Sequence, residues 1–139
     1  MNEVFIDSDI ILDLLMKREP HYLSAAKLFT IIEKGNVKAF VSPLIFSNLF
    51  YILRKITSKE RAKNSLKKLK FLVNILEVNE YIIELSLEAD FNDFEDAIQY
   101  YTALENKIDC LITRNKKDYK KSLITICTAE EYILNFSGK

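Results

Sequence analysis

Two groups of carboxylates stand far apart in the chain: Asp7 and Asp9 at the end of an apolar run, and Asp93, Glu95 and Asp96 at the start of a helical stretch. Val4, Phe5 and Ile6 read as a buried strand, which puts Asp7 at its C-terminal tip, where open α/β sheets bind their ligands. Two such acidic groups brought together suit a hard divalent cation. Mg²⁺ takes oxygen ligands, needs few carboxylates, keeps water and acts on phosphate esters. His21 is the only histidine; beside Pro20 at a helix start it reads as a surface residue, so no histidine is well placed as a general base.

Each acid also has a plainer reading. Asp7 could cap the helix that follows it, a role Asp fills well. Asp9 could act at the helix start or only complement the macrodipole. Asp13 shares its face, but Leu12, Leu14 and Leu15 surround it with core-facing signals, and it reads as a solvated acid. Further on, Ala97, Ile98, Tyr101 and Leu104 form an apolar stripe, with Asp93 and Asp96 spaced three apart on its flank. Asp96 borders the stripe, and a half-buried carboxylate needs a cation or several donors. Glu95 reads as solvent-facing.

The elements that must hold these acids alternate along the chain. Strands are expected at 3–7, 38–41, 72–78, 109–113 and 123–127. Helices are expected at 8–16, at 20–34 (opened by Pro20 and closed by Gly35), from Pro43 to about Ile56, from the Ser58 cap to about Lys70, at 79–89, at 93–106, and from the Thr128 cap to Asn135. Strands separated by helices imply an α/β fold, a central mostly parallel sheet with helices on both faces. With 139 residues, two Gly and two Pro, there is no room for a linker, and residues 1–139 are expected to form one domain.

The formal net charge is zero, yet Arg54 to Lys70 carries eight bases and one acid, and Phe71 to Asn106 nine acids and no base. A local basic surface beside an acidic cleft suits a nuclease that grips phosphates and cuts one; a solvated helix face is the alternative for 59–70. The N-terminus has no basic segment before its apolar run, and Ala39 to Leu53 is too short for a bilayer span, so the cytoplasm is the expected location and no membrane a partner. Cys110 and Cys127 lie in apolar runs without metal-motif spacing and read as reduced core thiols. Phe46, Phe50, Tyr51, Tyr100 and Tyr101 read as core at helical spacing, with an interface as the other possibility.

Three segments in series, Phe5-Ile6-Asp7-Ser8-Asp9-Ile10-Ile11-Leu12, Glu95-Asp96-Ala97-Ile98-Gln99 with Ala103, and Leu111 to Tyr119, resemble the PIN domain and, within it, the VapC-like toxin ribonucleases. The resemblance spans nearly the whole chain, including Val41-Ser42-Pro43 leading into a helix. It implies a three-layer α/β/α domain around one or two Mg²⁺ or Mn²⁺ ions. It also implies RNA as substrate, a homodimeric mate and a small antitoxin protein. Asp7 stands for the first acid and Asp96 for the third. Asn115 takes the fourth position, with Asp118 near the same loop and Thr113 at the strand tip. Two positions depart from the pattern. Asn48 occupies the place of a central-helix Glu, as an oxygen ligand, a partner behind the ligands or a plain hydrogen bonder. Asp9 stands where relatives often carry Asn.

The expected chemistry is metal-assisted hydrolysis of an RNA phosphodiester. Asp7 and Asp96 hold the ion, helped by Asp9, Asp93 or Asn115 directly or through water, while Arg54, Lys55, Arg114 and Lys116 contact phosphates. A PIN-like module that binds without cutting is the alternative, favoured by Asn48 and Asn115. The strand-Asp7-Ser8-Asp9 pattern also fits an aspartate-nucleophile phosphatase of the haloacid dehalogenase type, which leaves 113–119 unexplained and lacks room for a cap domain.

Overall fold

The structure, a computed structural model, describes residues 2–119 and 121–137. Strands β1 (Glu3–Ile6), β2 (Lys38–Val41), β3 (Val73–Ile75), β4 (Cys110–Ile112) and β5 (Thr125–Cys127) form one sheet in the order β3-β2-β1-β4-β5. Every pairing is parallel, so the sheet is wholly rather than mostly so. The helices are α1 (Ser8–Leu15), α2 (Tyr22–Glu33), α3 (Pro43–Ile56), α4 (Lys59–Lys70), α5 (Glu80–Glu88), α6 (Phe94–Glu105) and α7 (Ala129–Ser137).

Contacts sort the helices into two groups. One runs α7-α2-α1-α3-α4 and the other is the pair α5-α6. Right-handed crossovers require this division. The chain steps from β1 to β2 to β3 in one direction with α1 to α4 on one face, then returns past β1 to β4 with α5 and α6 on the other. Three layers result, and strands covered on both faces must be apolar throughout. Val4, Phe5, Ile6, Leu111 and Ile112 are accordingly all fully buried.

Local chemistry fixes the helix starts. Asp7, Ser42, Ser58, Asn79 and Asp93 each accept a backbone N–H of the first turn, and Thr128 and Glu131 exchange bonds of 2.9 and 3.1 Å in a capping box. Gly35 ends α2 at φ +83°, the left-handed conformation that favours glycine. Pro20 does not open α2: the Glu19–Pro20 peptide is cis and the helix starts at Tyr22. The third strand is shorter than 72–78 because β2 offers a partner only from Ala39 to Val41. Cys110 and Cys127 are buried and free, their sulfurs 3.7 Å apart. Tyr51 is largely exposed, whereas Tyr100 is buried and Phe46, Phe50 and Tyr101 pack partly against the core. Among the described residues no helix is long and apolar enough to cross a membrane.

Candidate active site

From β1 the chain builds the sheet outward in both directions, so the crevice between the carboxyl ends of β1 and β4 is its topological switch point. The first residues past both strands meet there. The Asp7 N–H donates to the Ile112 carbonyl at 3.0 Å and the Thr113 N–H to that of Cys127 at 2.9 Å, which carries the ladder one residue beyond each strand. The Thr113 hydroxyl donates to Asp7 Oδ2 at 2.9 Å and accepts the Asn115 N–H at 3.2 Å. Asp7 Oδ1 accepts the Ser8 N–H at 2.8 Å. Asp7 therefore caps α1 through one oxygen and meets β4 through the other. Burial pushes its carboxyl above the usual range, the Thr113 and Ser8 donors pull it back, and the Asp9 charge raises it further.

Helix α6 delivers the second group. Asp93 caps it, accepting the Asp96 N–H at 3.1 Å, and is itself exposed. Asp96 points inward beneath Tyr119, whose hydroxyl donates to Oδ1 at 3.4 Å. Burial, then the charges of Asp7, Asp93, Asp118 and Glu95, push the Asp96 carboxyl up to about 7. Burial followed by the charges of Asp7, Asp96 and Asp118 raises the Tyr119 phenol. Helix α3 crosses to α6 through two side-chain bonds. Ser42 donates to Gln99 Oε1 at 2.9 Å, both residues fully buried, and Asn48 Nδ2 donates to Glu95 Oε1. Glu95 is thus not solvent-facing as expected: half-buried, it is held by Asn48, and burial together with Asp93, Asp7 and Asp9 raises its carboxyl against that bond.

The basic residues divide. Asp13, expected to be solvated, is 1% exposed, because α1 is buried around most of its circumference from Ile10 to Asp13. Arg18 Nε pairs with its Oδ1 at 3.0 Å and Arg114 Nε lies 3.1 Å from its Oδ2. The guanidinium Nη2 groups of both arginines also reach Asp9 Oδ1, at 3.7 and 3.9 Å. Lys116 pairs with Glu131 at 3.0 Å. Two of the four expected phosphate contacts, Arg114 and Lys116, are therefore engaged in ion pairs that brace the loop after β4. Arg54 and Lys55 are exposed in the last turn of α3, Arg54 roughly 9 Å along the axis from Asn48 at the α-helical rise. His21 is half-buried at the start of α2, where it lines a small hollow with Asp13 and Arg114.

Asp7, Asp96, Thr113 and Asn48 are brought together from four elements, with Asp9 and Asp118 near enough to act electrostatically on Asp7 and Asp96 respectively. Sequence reasoning missed Glu95, Tyr119 and Asp13 as parts of this assembly. Only Asp13 left a signal, an acid inside a helix apolar on nearly all sides. The Asn48–Glu95 and Tyr119–Asp96 bonds join residues 47 and 23 positions apart.

The donor set fits a hard divalent ion. It is made of oxygen only, and burial followed by the charges of its neighbours pushes the Asp96 carboxyl up, a repulsion that a bound cation would relieve. Among the described residues no three Asp, Glu, His or Cys side chains already form a ligand cluster. Mg²⁺ asks for less than that, since one or two carboxylates with retained waters suffice.

A family model described as PIN domain matches residues 3–117. The chain is 31% identical over 140 aligned residues to a protein named Ribonuclease VapC1 from Aquifex aeolicus, with 94% of this chain and 92% of the relative covered. Two solved structures share its fold. VapBC-1 from nontypeable Haemophilus influenzae matches at TM-score 0.69 and 19% identity, over 92% of this chain and 98% of that one. A toxin–antitoxin complex from Klebsiella pneumoniae matches at TM-score 0.67 and 23% identity, over 91% and 97%. With acids from β1 and α6 meeting at the switch point of a five-stranded parallel sheet, and with a family match over most of its length, this chain belongs to the PIN domain family.

Proposed function

We propose that the protein is a Mg²⁺- or Mn²⁺-dependent endoribonuclease, the toxin of a toxin–antitoxin pair, acting in the cytoplasm as a homodimer. The observation that carries this reading is the approach of Glu95 and Asp96 from α6 to Asp7 at the tip of β1, near enough for their charges to act on one another, in the crevice where α/β sheets bind ligands. The Aquifex relative is named for ribonuclease activity, and the Klebsiella match is a toxin–antitoxin complex. Asp7 and Asp96 would hold the ion, with Asp9, Asp93 or Asn115 assisting directly or through water. Such an ion, when bound, polarises a phosphate and acidifies water.

The chain's own residues do the positioning. Thr113 fixes the Asp7 carboxylate and favours its ionised form; Asn48 does the same for Glu95 from α3. Tyr119 donates a hydrogen bond to Asp96 from the turn after β4. Asp118, on the same short turn, extends the acidic wall. Arg54 and Lys55 remain available for phosphates, while Arg114 and Lys116 act first by bracing the loop. The exposed apolar side chains of Tyr51 and Ile56 on α3 suit a protein mate.

The test is cleavage of structured and single-stranded RNAs by purified protein in Mg²⁺ or Mn²⁺, with EDTA and the Asp7→Ala and Asp96→Ala variants alongside. Metal-dependent cutting lost in both variants supports the reading. A PIN module that binds RNA without cutting is the second reading, favoured by Asn48 in the place of an acid and by the lack of a ready ligand cluster among the described residues. It predicts no cutting by wild type and RNA binding retained in both variants. The aspartyl-phosphate alternative loses its ground, because the family match reaches residue 117, within the segment after β4 that it left unexplained.

A further inference from the structure

Beside the acids, and sharing part of their wall, opens a hollow of about 720 Å³. Phe91, Tyr100, Tyr101, Lys117 and Lys121 line it, together with Asp93, Asp96 and Asp118 of the acid cluster. The rings are packed into a fixed wall. Phe91 lies 5.6 Å from Tyr100, 6.3 Å from Tyr101 and 5.9 Å from Tyr119, centre to centre, and Tyr100 is 5.1 Å from Tyr101. The Tyr100 hydroxyl accepts the Leu123 N–H at 2.7 Å, which locks that ring. Phe91 and Tyr101 are only partly buried and leave ring surface toward the opening.

Flat aromatic faces beside ammonium groups, next to a site for phosphodiester cleavage, are the chemistry that receives a nucleotide taken out of its stack. The same walls carry the exposed carboxylates of Asp90 and Asp118, which only accept hydrogen bonds. Such acceptors suit a base with an exocyclic amino group, which offers two N–H donors where uracil offers only its N3–H. Among the described residues, neither Lys117 nor Lys121 is tied to a carboxylate in an ion pair.

We propose that this hollow is a subsite for one unstacked, amino-bearing base of the RNA beside the scissile phosphate, stacked on Phe91 and Tyr101 with a phosphate at Lys117 and Lys121. The proposal rests on the ribonuclease reading. Its test is direct binding of single-stranded octaribonucleotides carrying 2-aminopurine at each position in turn, read by fluorescence without divalent ion, with cleavage in Mn²⁺ measured separately. At one position the wild type quenches the fluorophore. Phe91→Leu and Tyr101→Leu lose the quench and weaken binding roughly 5- to 150-fold, the range for base–aromatic stacking. An abasic nucleotide at that position costs the wild type the same factor and the variants nothing more.

Ring variants that keep the wild-type melting temperature and bind the RNA unchanged overturn the subsite, whether or not the wild type cuts. If those variants instead lose only a basic peptide partner, the hollow is a protein site and the proposal fails. A wild type that cuts no RNA yet shows the ring-dependent quench keeps the subsite and removes the ribonuclease.

Discussion

Thr113→Val removes one oxygen from a fully buried side chain while keeping its shape, and it isolates the bond that joins β4 to β1 at the site. The Thr113 hydroxyl donates to Asp7 Oδ2 at 2.9 Å, and Asp7 is 7% exposed, so water cannot easily replace it. A hydrogen bond to a charged group contributes about 1.5–3 kcal/mol. The Asn115 N–H also loses its acceptor, but Asn115 is exposed and water can serve. A destabilisation of about 2–3 kcal/mol at pH 8 follows, a fall in Tm of roughly 5–10 °C for a chain of this size. The effect must depend on pH. Thr113 lowers the Asp7 pKa that burial has raised, so its removal raises that pKa further. Asp7 then contributes stability when protonated that is lost more completely as pH rises through its folded pKa. The Tm gap between wild type and variant is therefore smaller at pH 4–5 than at pH 8, and the acidic limb of the pH–cleavage profile moves to higher pH. Thr113→Ser restores both. Thermal melts across this range together with the pH–rate profile make the assay. An equal Tm gap at both ends of the range, with an unmoved acidic limb, would refute the reasoning and leave Thr113 a packing residue.

The metal-free protein as a whole should lose stability as pH rises from 4 to 8, because Asp96, at about 7, holds a proton in the folded state that the unfolded chain releases near 3.8. After solvent screening of a half-buried carboxylate this amounts to about 1–2 kcal/mol, and Mn²⁺ should flatten the fall; a Tm rising over that range without metal contradicts it. Asn48→Glu replaces the donor to Glu95 with a like charge, so the metal-free Tm should drop by several degrees, for a lost bond of about 1.5–3 kcal/mol, while calorimetry shows tighter Mn²⁺ binding; unchanged metal affinity would mean that α3 does not face the ion. Asp13→Asn leaves Arg18 and Arg114 without their shared carboxylate. Because those arginines are 34% and 30% exposed, urea titration should show a loss of about 1–3 kcal/mol, below the usual figure for a fully buried pair.

The local grammar of the chain was enough for the elements and for the placement of Asp7 and Asp96 within them. Alternation of apolar runs with amphipathic stretches gave all five strands and seven helices, and Ser42-Pro43, Ser58 and Thr128 marked helix starts by a mechanism that acts within four residues. Asp7 was legible because a strand tip is a local feature, and Asp96 because it borders its own helix's apolar stripe. What the tertiary structure decided is which distant side chains answer one another. Glu95 turns to Asn48, Tyr119 donates to Asp96, and Asp13 joins Arg18 to Arg114, since parallel strands and two helical layers carry residues far apart in sequence to one edge of the sheet. Periodicity reports how a residue faces its own helix axis or strand. It holds no record of the partner that arrives from elsewhere in the fold, and the Arg114–Asp13 ion pair, the Asn48–Glu95 bond and the effect of Asp7 on Asp96 all come from such partners.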